Sequence, residues 1–97
     1  MSQLQVIAHY TVSPGNEDAV LALLPKLVEA SRTEPGNISY VAYRALDDER
    51  RFVLIERYVS REAFAAHRES PHFIDLALGQ IVPLLASRVV EVSDVDE

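Results

Sequence analysis

Residues 38–59 read ISYVAYRALDDERRFVLIERYV, two runs rich in β-branched and aromatic residues around a charged break at Asp47-Asp48-Glu49-Arg50. Runs of this length and composition, 38–46 and 51–59, predict two strands, and the short polar connection predicts an antiparallel hairpin. Side chains alternate across a strand, so Phe52, Leu54, Glu56 and Tyr58 share one face of the second strand, while Val53, Ile55, Arg57 and Val59 share the other. Both faces are mostly apolar. A sheet with one wet face shows clean apolar and polar alternation, so something must cover the second face as well. A second copy of the same sheet is the economical cover, which predicts a two-fold homodimer with the sheets packed face to face.

Working outward, residues 4–12 (LQVIAHYTV) predict a first strand, closed by Ser13-Pro14-Gly15. From Asn16 to Ser31, Ala19, Val20, Leu23, Leu24, Leu27 and Val28 recur at three- and four-residue spacing, with Glu17 and Asp18 in the first turn where the helix dipole favours acids. Pro25 removes one hydrogen bond from this helix without interrupting its periodicity. Glu34-Pro35-Gly36-Asn37 turns the chain into the hairpin. Beyond the hairpin, Ser60 predicts the cap of a helix over 61–69, and Ser70-Pro71 restarts helix through Leu78 or further, with Gly79 and Pro83 near its end. SRVVEV at 87–92 predicts a fourth strand. The order β-α-β-β-α-β is the α+β, ferredoxin-like arrangement of a four-stranded antiparallel sheet with both helical segments on one face. One domain over 1–93 is expected, followed by an acidic tail, 94–97.

The chain has 97 residues and a formal charge of -6, with 15 acids against 9 Lys and Arg. Asp94, Asp96 and Glu97 carry three of those charges, so the domain itself is only mildly acidic. Its cations are dispersed, Arg50-Arg51 being the only adjacent pair, which argues against a nucleic-acid partner. With no cysteine there is no thiolate nucleophile, thiolate zinc site or iron–sulfur cluster. Gly15, Gly36 and Gly79 are isolated, so no dinucleotide or flavin fingerprint is present. Neither a signal peptide nor a membrane-spanning run of about 18 apolar residues is visible, and a cytoplasmic protein without membrane contact is expected. A domain of this size buries only about 60–68% of its unfolded surface. That thin core is a second reason to expect the dimer.

Pro14-Gly15, EPGNISY at 34–40 and above all IERYVSREAFAAHRESPHF at 55–73 resemble the antibiotic biosynthesis monooxygenase (ABM) domains, a family of small dimeric α+β barrels that includes quinol monooxygenases. The resemblance covers most of the chain. It implies the dimeric barrel and one pocket per subunit between sheet and helices. It also strengthens a functional reading of His67, which by itself reads first as a helix-surface or capping histidine. Under the sheet His67 would reach Glu56, whose carboxylate is costly in an apolar strand unless paired; the alternative for Glu56 is to reach the sheet end or an arginine. A Glu56–His67 contact would orient the imidazole as a base for a phenolic or enolic proton.

Large aromatics are core or interface residues by default, but tyrosines with one wet end can line a pocket for a flat ligand. Tyr43, Tyr58, Phe64 and Phe73 are the expected walls, and Tyr40 is expected in core or interface. His67 and His72 are five residues apart with Pro71 between them, which is not the spacing of two ligands on one helix face, so no metal is expected. His9 is expected at an edge or at the dimer interface.

The resemblance thus implies a monooxygenase without cofactor, in which a small quinol, phenol or anthrone supplies the electrons to dioxygen once deprotonated. Relatives oxidising quinols and anthrones commonly carry Trp where Tyr58 stands, and the anthrone branch has Asn at Leu54. The haem-degrading branch differs at Ala8, His67 and Ala77. An isomerase of a small hydroxy-ketone and a non-catalytic ligand-binding dimer are the alternatives.

Overall fold

A computed structural model describes residues 2–95 of the chain. The elements run β1 (Gln3–Val12), α1 (Glu17–Ser31), β2 (Asn37–Arg44), β3 (Arg51–Tyr58), α2 (Arg61–Arg68), a wide-turned π-type helix α3 (Phe73–Ile81), a 3-10 turn (Val82–Leu84) and β4 (Leu85–Val95). The strands form one antiparallel sheet in the order β2-β3-β1-β4, the expected ferredoxin-like topology. No described helix is long and apolar enough to cross a membrane.

Alternation decides which side of the sheet is covered. Leu4, Val6, Ala8, Tyr10 and Val12 of β1 and Phe52, Leu54, Glu56 and Tyr58 of β3 are all buried under the helices. α1 contributes Val20, Leu24, Leu27 and Val28 and continues through Pro25. Gly15 holds a φ of +93°, open to glycine at little cost, and Glu17 Oε1 accepts its N–H at 2.6 Å to fix the helix entry. Ser60 caps α2 by accepting the Ala63 N–H at 3.1 Å. Ser70 caps the restart in the same way, with Pro71 the first helical residue.

The core has two parts. The larger joins β1, β2 and β3 to α1 and α3, and the smaller joins Leu4, Val6 and Tyr58 to Ala63 and Phe64 of α2. Glu56 stands on β3 between Leu54 of the first and Tyr58 of the second, at the seam.

Two strands differ from their expected bounds by more than one residue. β2 ends at Arg44, and Leu46 is fully exposed, because Asp48 gathers the loop by accepting the N–H groups of Arg50 and Arg51. β4 pairs with β1 from Leu85 to Val95, so Asp94 and Val95 belong to the sheet rather than to a tail. The rest of that expected tail, Asp96 and Glu97, lies outside the described residues.

On the opposite face the register aligns Val41, Ile55 and Ile7, and next to them Tyr43, Val53, His9 and Val89. Ile55, Tyr43 and Val89 are exposed there. The two-faced apolar character read from β3 is therefore present across the sheet.

Candidate active site

Between the inner sheet face and the second helical region lies a cavity of about 250 Å³, floored by Val6, Ala8, Tyr10, Tyr40 and Glu56 and roofed by Phe64, His67 and Phe73. It opens along β4, where Arg88, Val90 and Val92 meet Arg68 of α2.

His67, in the last turn of α2, is 1% exposed and packed among the rings of Tyr40, Tyr58, Phe64 and Phe73, with centroids 5.0–6.3 Å away. Its Nδ1 lies 2.7 Å from Oε2 of Glu34, in the turn between α1 and β2. An ionised carboxylate only accepts, so this contact assigns the imidazole proton to Nδ1 and leaves the lone pair on Nε2. Nε2 is the nitrogen on the Glu56 side, 3.9 Å from Glu56 Oε1. Burial lowers the His67 pKa, and the hydrogen bond and charge of Glu34 oppose that shift. A neutral imidazole with its basic nitrogen toward the cavity results.

Glu34 holds more than one partner. His72 Nε2 donates to the same Oε2, while Oε1 is buried with no hydrogen-bond partner among the described residues. Close packing of the turn against α2 brings Glu34 here. The Gly36 carbonyl oxygen accepts the Val59 N–H, and a Cβ at Gly36 would lie 2.4 Å from that of Ala63.

Glu56 is 4% exposed and accepts the Tyr58 hydroxyl at 2.6 Å. Burial pushes its carboxyl up to about 7, against the Tyr58 hydrogen bond and the charge of Arg88. Burial, together with the charge of Glu56 and that hydrogen bond, drives the Tyr58 phenol far above its usual range, so Tyr58 is a permanent donor. At 3.9 Å Glu56 and His67 are beyond direct hydrogen-bond reach. The expectation that Glu56 orients His67 is therefore corrected, since Glu34 does so. The gap between Glu56 and His67 can take a ligand oxygen.

Of the expected walls, Phe64 and Phe73 line the cavity. Tyr58 stands behind Glu56, fully buried, and supports it rather than facing a ligand. Tyr43 lies on the other face of the sheet, 53% exposed and opposite Val53. Three residues along β2, Tyr40 occupies the inward position, paired with Glu56, and is both core and cavity floor. Glu34, His72, Tyr10 and Arg88 were not anticipated. Parity within β2 separates Tyr40 from Tyr43, but nothing local in EPGN signals that Glu34 folds back onto α2.

The spacing argument against shared histidines does not apply, because α2 ends at Arg68 and His72 returns from a separate helical segment. Glu34, His67 and His72 offer donor atoms within 4.8 Å of one another, a composition able to ligate a transition metal. Two ligands sharing an ion at about 2.0–2.1 Å each stand roughly 3.3 Å apart. The 2.7 Å contact between Glu34 and His67 instead spans a shared proton, so the cluster as folded is a hydrogen-bonded one.

Comparison with known proteins bears on this geometry. The family model described as "Antibiotic biosynthesis monooxygenase" matches residues 4–77. "Putative monooxygenase Rv0793" of Mycobacterium tuberculosis is 39% identical over 74 residues, 76% of this chain and 72% of that protein. "Putative monooxygenase YcnE" of Bacillus subtilis is 32% identical over 66 residues, 68% of this chain and 70% of that protein. The solved structure of the M. tuberculosis protein superimposes with a TM-score of 0.89 at 37% identity, covering 99% of this chain and 98% of that one.

Proposed function

The chain belongs to the antibiotic biosynthesis monooxygenase family, and from that premise we propose that it is a cofactor-independent monooxygenase acting on a small, electron-rich hydroxylated aromatic. The observation that carries this reading is the Glu34–His67 contact, which leaves a neutral, buried imidazole with its lone pair on the cavity side. His67 Nε2 takes the ring hydroxyl's proton. Glu56 in its protonated form donates to the resulting oxyanion, a division of roles that follows from two groups whose pKa values burial pushes in opposite directions. Phe64 and Phe73 hold the ring. The deprotonated substrate supplies two electron pairs to dioxygen; one oxygen atom enters the ring and the other leaves as water. A cavity of about 250 Å³ suits one or two rings, being smaller than the roughly 300–1,000 Å³ typical of drug-sized sites. The exposed outer sheet face, with Ile55, Tyr43 and Val89, supports a homodimer through that face.

Aerobic oxygen uptake with a panel of hydroquinones, naphthoquinols and anthrones tests the reading. One- and two-ring substrates should turn over, and His67→Ala should slow them by about 10²–10⁴-fold, the usual share of a positioned base. Activity should fall at low pH as His67 protonates below its ordinary 6.5, and at high pH as Glu56 ionises near 7. Glu56→Gln, which keeps a donor, should abolish the alkaline fall. Uptake that ignores the His67 substitution would refute the assignment of the base.

A further inference from the structure

The cavity's interior and its opening differ in charge in a way that the proton chemistry does not use. Inside stand a neutral imidazole and a carboxyl that is half protonated near neutrality. At the opening stand two guanidinium groups, Arg68 and Arg88. Arg32, Arg44, Arg50, Arg57 and Arg61 are each tied to an oxygen of the chain. Among the described residues Arg51, Arg68 and Arg88 have no carboxylate ion pair, and of these only Arg68 and Arg88 line the cavity. Both are nevertheless held at the cavity. Arg68 lies over the Phe64 ring, 5.8 Å from its centroid. Arg88 hydrogen-bonds the Tyr10 side chain, and its charge acts on both buried groups of the floor, Tyr10 and Glu56. The same two arginines and Phe73 line the groove that continues outward, where Glu69 is the one acid. In a chain of charge -6 this is a local concentration of positive charge at the entrance to an apolar, aromatic-roofed site.

Guanidinium groups without a carboxylate partner bind planar oxyanions through paired N–H donors, and a carboxylate fits that fork. We infer that the site takes a hydroxylated aromatic that also bears a carboxylate, the anion held between Arg88 and Arg68 at the opening and a ring hydroxyl placed between His67 and Glu56. This rests on the reading of the cavity as the reaction site and narrows its substrate class. A benzoic-acid skeleton puts anion and hydroxyl on one rigid plane. Val90 and Val92, half exposed on the inner edge of β4, flank the path of the ring between them. An uncharged quinol would leave Arg88 with Tyr10 and Arg68 over Phe64, and would offer neither cation an anion.

The test compares 2,5-dihydroxybenzoate with its neutral primary amide by calorimetric titration under nitrogen, using the full-length protein, Arg88→Met, Arg68→Met and the double variant. The acid should bind at least about tenfold more tightly than the amide in low salt, the scale of one charge-assisted hydrogen bond. That advantage should shrink in 0.5 M salt and fall below about threefold in the double variant, the acid-to-amide ratio within each protein cancelling any general change in the cavity that the substitutions bring. Should the double variant fail to fold, Arg88→Lys against Arg88→Met decides, because the preference must follow the charge. Equal binding of acid and amide, a preference that survives loss of the charge, or binding of neither overturns the inference. Oxygen uptake with the amide matching that with the acid would overturn it while leaving the monooxygenase reading in place; absence of uptake despite selective binding of the acid would do the reverse.

Discussion

The floor of the cavity and its mouth are built on opposite terms. On and around the floor, Glu56, the His67 above it and the Tyr58 behind it are at most 4% exposed and held by named partners: Glu34 for His67, Tyr58 for Glu56. Along the mouth, every residue of β4 from Ala86 to Asp94 is exposed, and the side chains that matter are cations in contact with water. Desolvation therefore sets proton affinities on the floor, where moving a group out of water shifts a pKa by units. At the mouth, screening by water and salt keeps each contact weak and adjustable. Substitutions on the floor should change both chemistry and stability, while those at the mouth should change affinity with little effect on the fold.

The contrast is most exposed to failure at Glu56. Its carboxyl is raised from 4.5 to about 7 in the folded protein, so between these values the folded state holds a proton that the unfolded state has released. Stability then falls as pH rises through that interval and is level above it, by about 3 kcal/mol for a shift of this size. Glu56→Gln removes the titration and keeps an acceptor for Tyr58. The variant should match the parent near pH 4.5 and exceed it by about 3 kcal/mol at pH 8, in urea unfolding at fixed protein concentration. The lowered pKa of His67 acts in the opposite sense, adding stability as pH rises toward 6.5, and is common to both proteins, so it cancels in the difference. A parent as stable as the variant at pH 8 would mean that the floor is wet.

The same contrast explains what could be read in the chain beforehand. Strand alternation placed Phe52, Leu54, Glu56 and Tyr58 under the helices, because a period of two is a local property of the backbone. Ser60 and Ser70 marked two helix starts for an equally local reason, the need of free N–H groups for an acceptor. Glu56 stood out as a carboxylate in an apolar strand, and His67 through the resemblance carried by residues 55–73. Their true partners did not, since Glu34 is 33 residues from His67 and reaches it only through the packing of the 34–37 turn on α2. Tyr43 was misplaced because side-chain parity is meaningful only once cross-strand register is known, and the register that pairs Tyr40 with Glu56 turns Tyr43 outward. Arg88 carries no local signal at all; its position follows from the pairing of β4 with β1.

Gly36 tests whether the floor depends on that packing. Its φ is not in the left-handed region, so the glycine is required for space: an added Cβ would meet Ala63 Cβ at 2.4 Å and Ala63 Cα at 3.4 Å, which only a shift of α2 relieves. Gly36→Ala should cost about 2 kcal/mol in the way overpacked sites do, and should weaken the Glu34–His67 contact along with it. Adding Ala63→Gly should return part of that loss even though glycine within a helix is itself unfavourable by about 1 kcal/mol. Strict additivity of the two changes would show that the turn and the helix do not touch.

The smallest effect belongs to the mouth. Arg61, at the start of α2, donates to Asp94 of β4 at 3.0 Å, with both side chains more than half exposed. Among the described residues it is the one ion pair joining α2 to β4 across the open side. An exposed pair of this kind is worth about 0.2–1 kcal/mol and weakens as salt rises. Arg61→Ala should therefore lower stability by less than about 1 kcal/mol in low salt, and by nothing measurable in 0.5 M salt. Because Arg61 lies outside the cavity, the preference for acid over amide should persist. A larger loss that salt leaves intact would mean that the pair is shielded from water, and the mouth would then have to be counted with the floor as part of the rigid site.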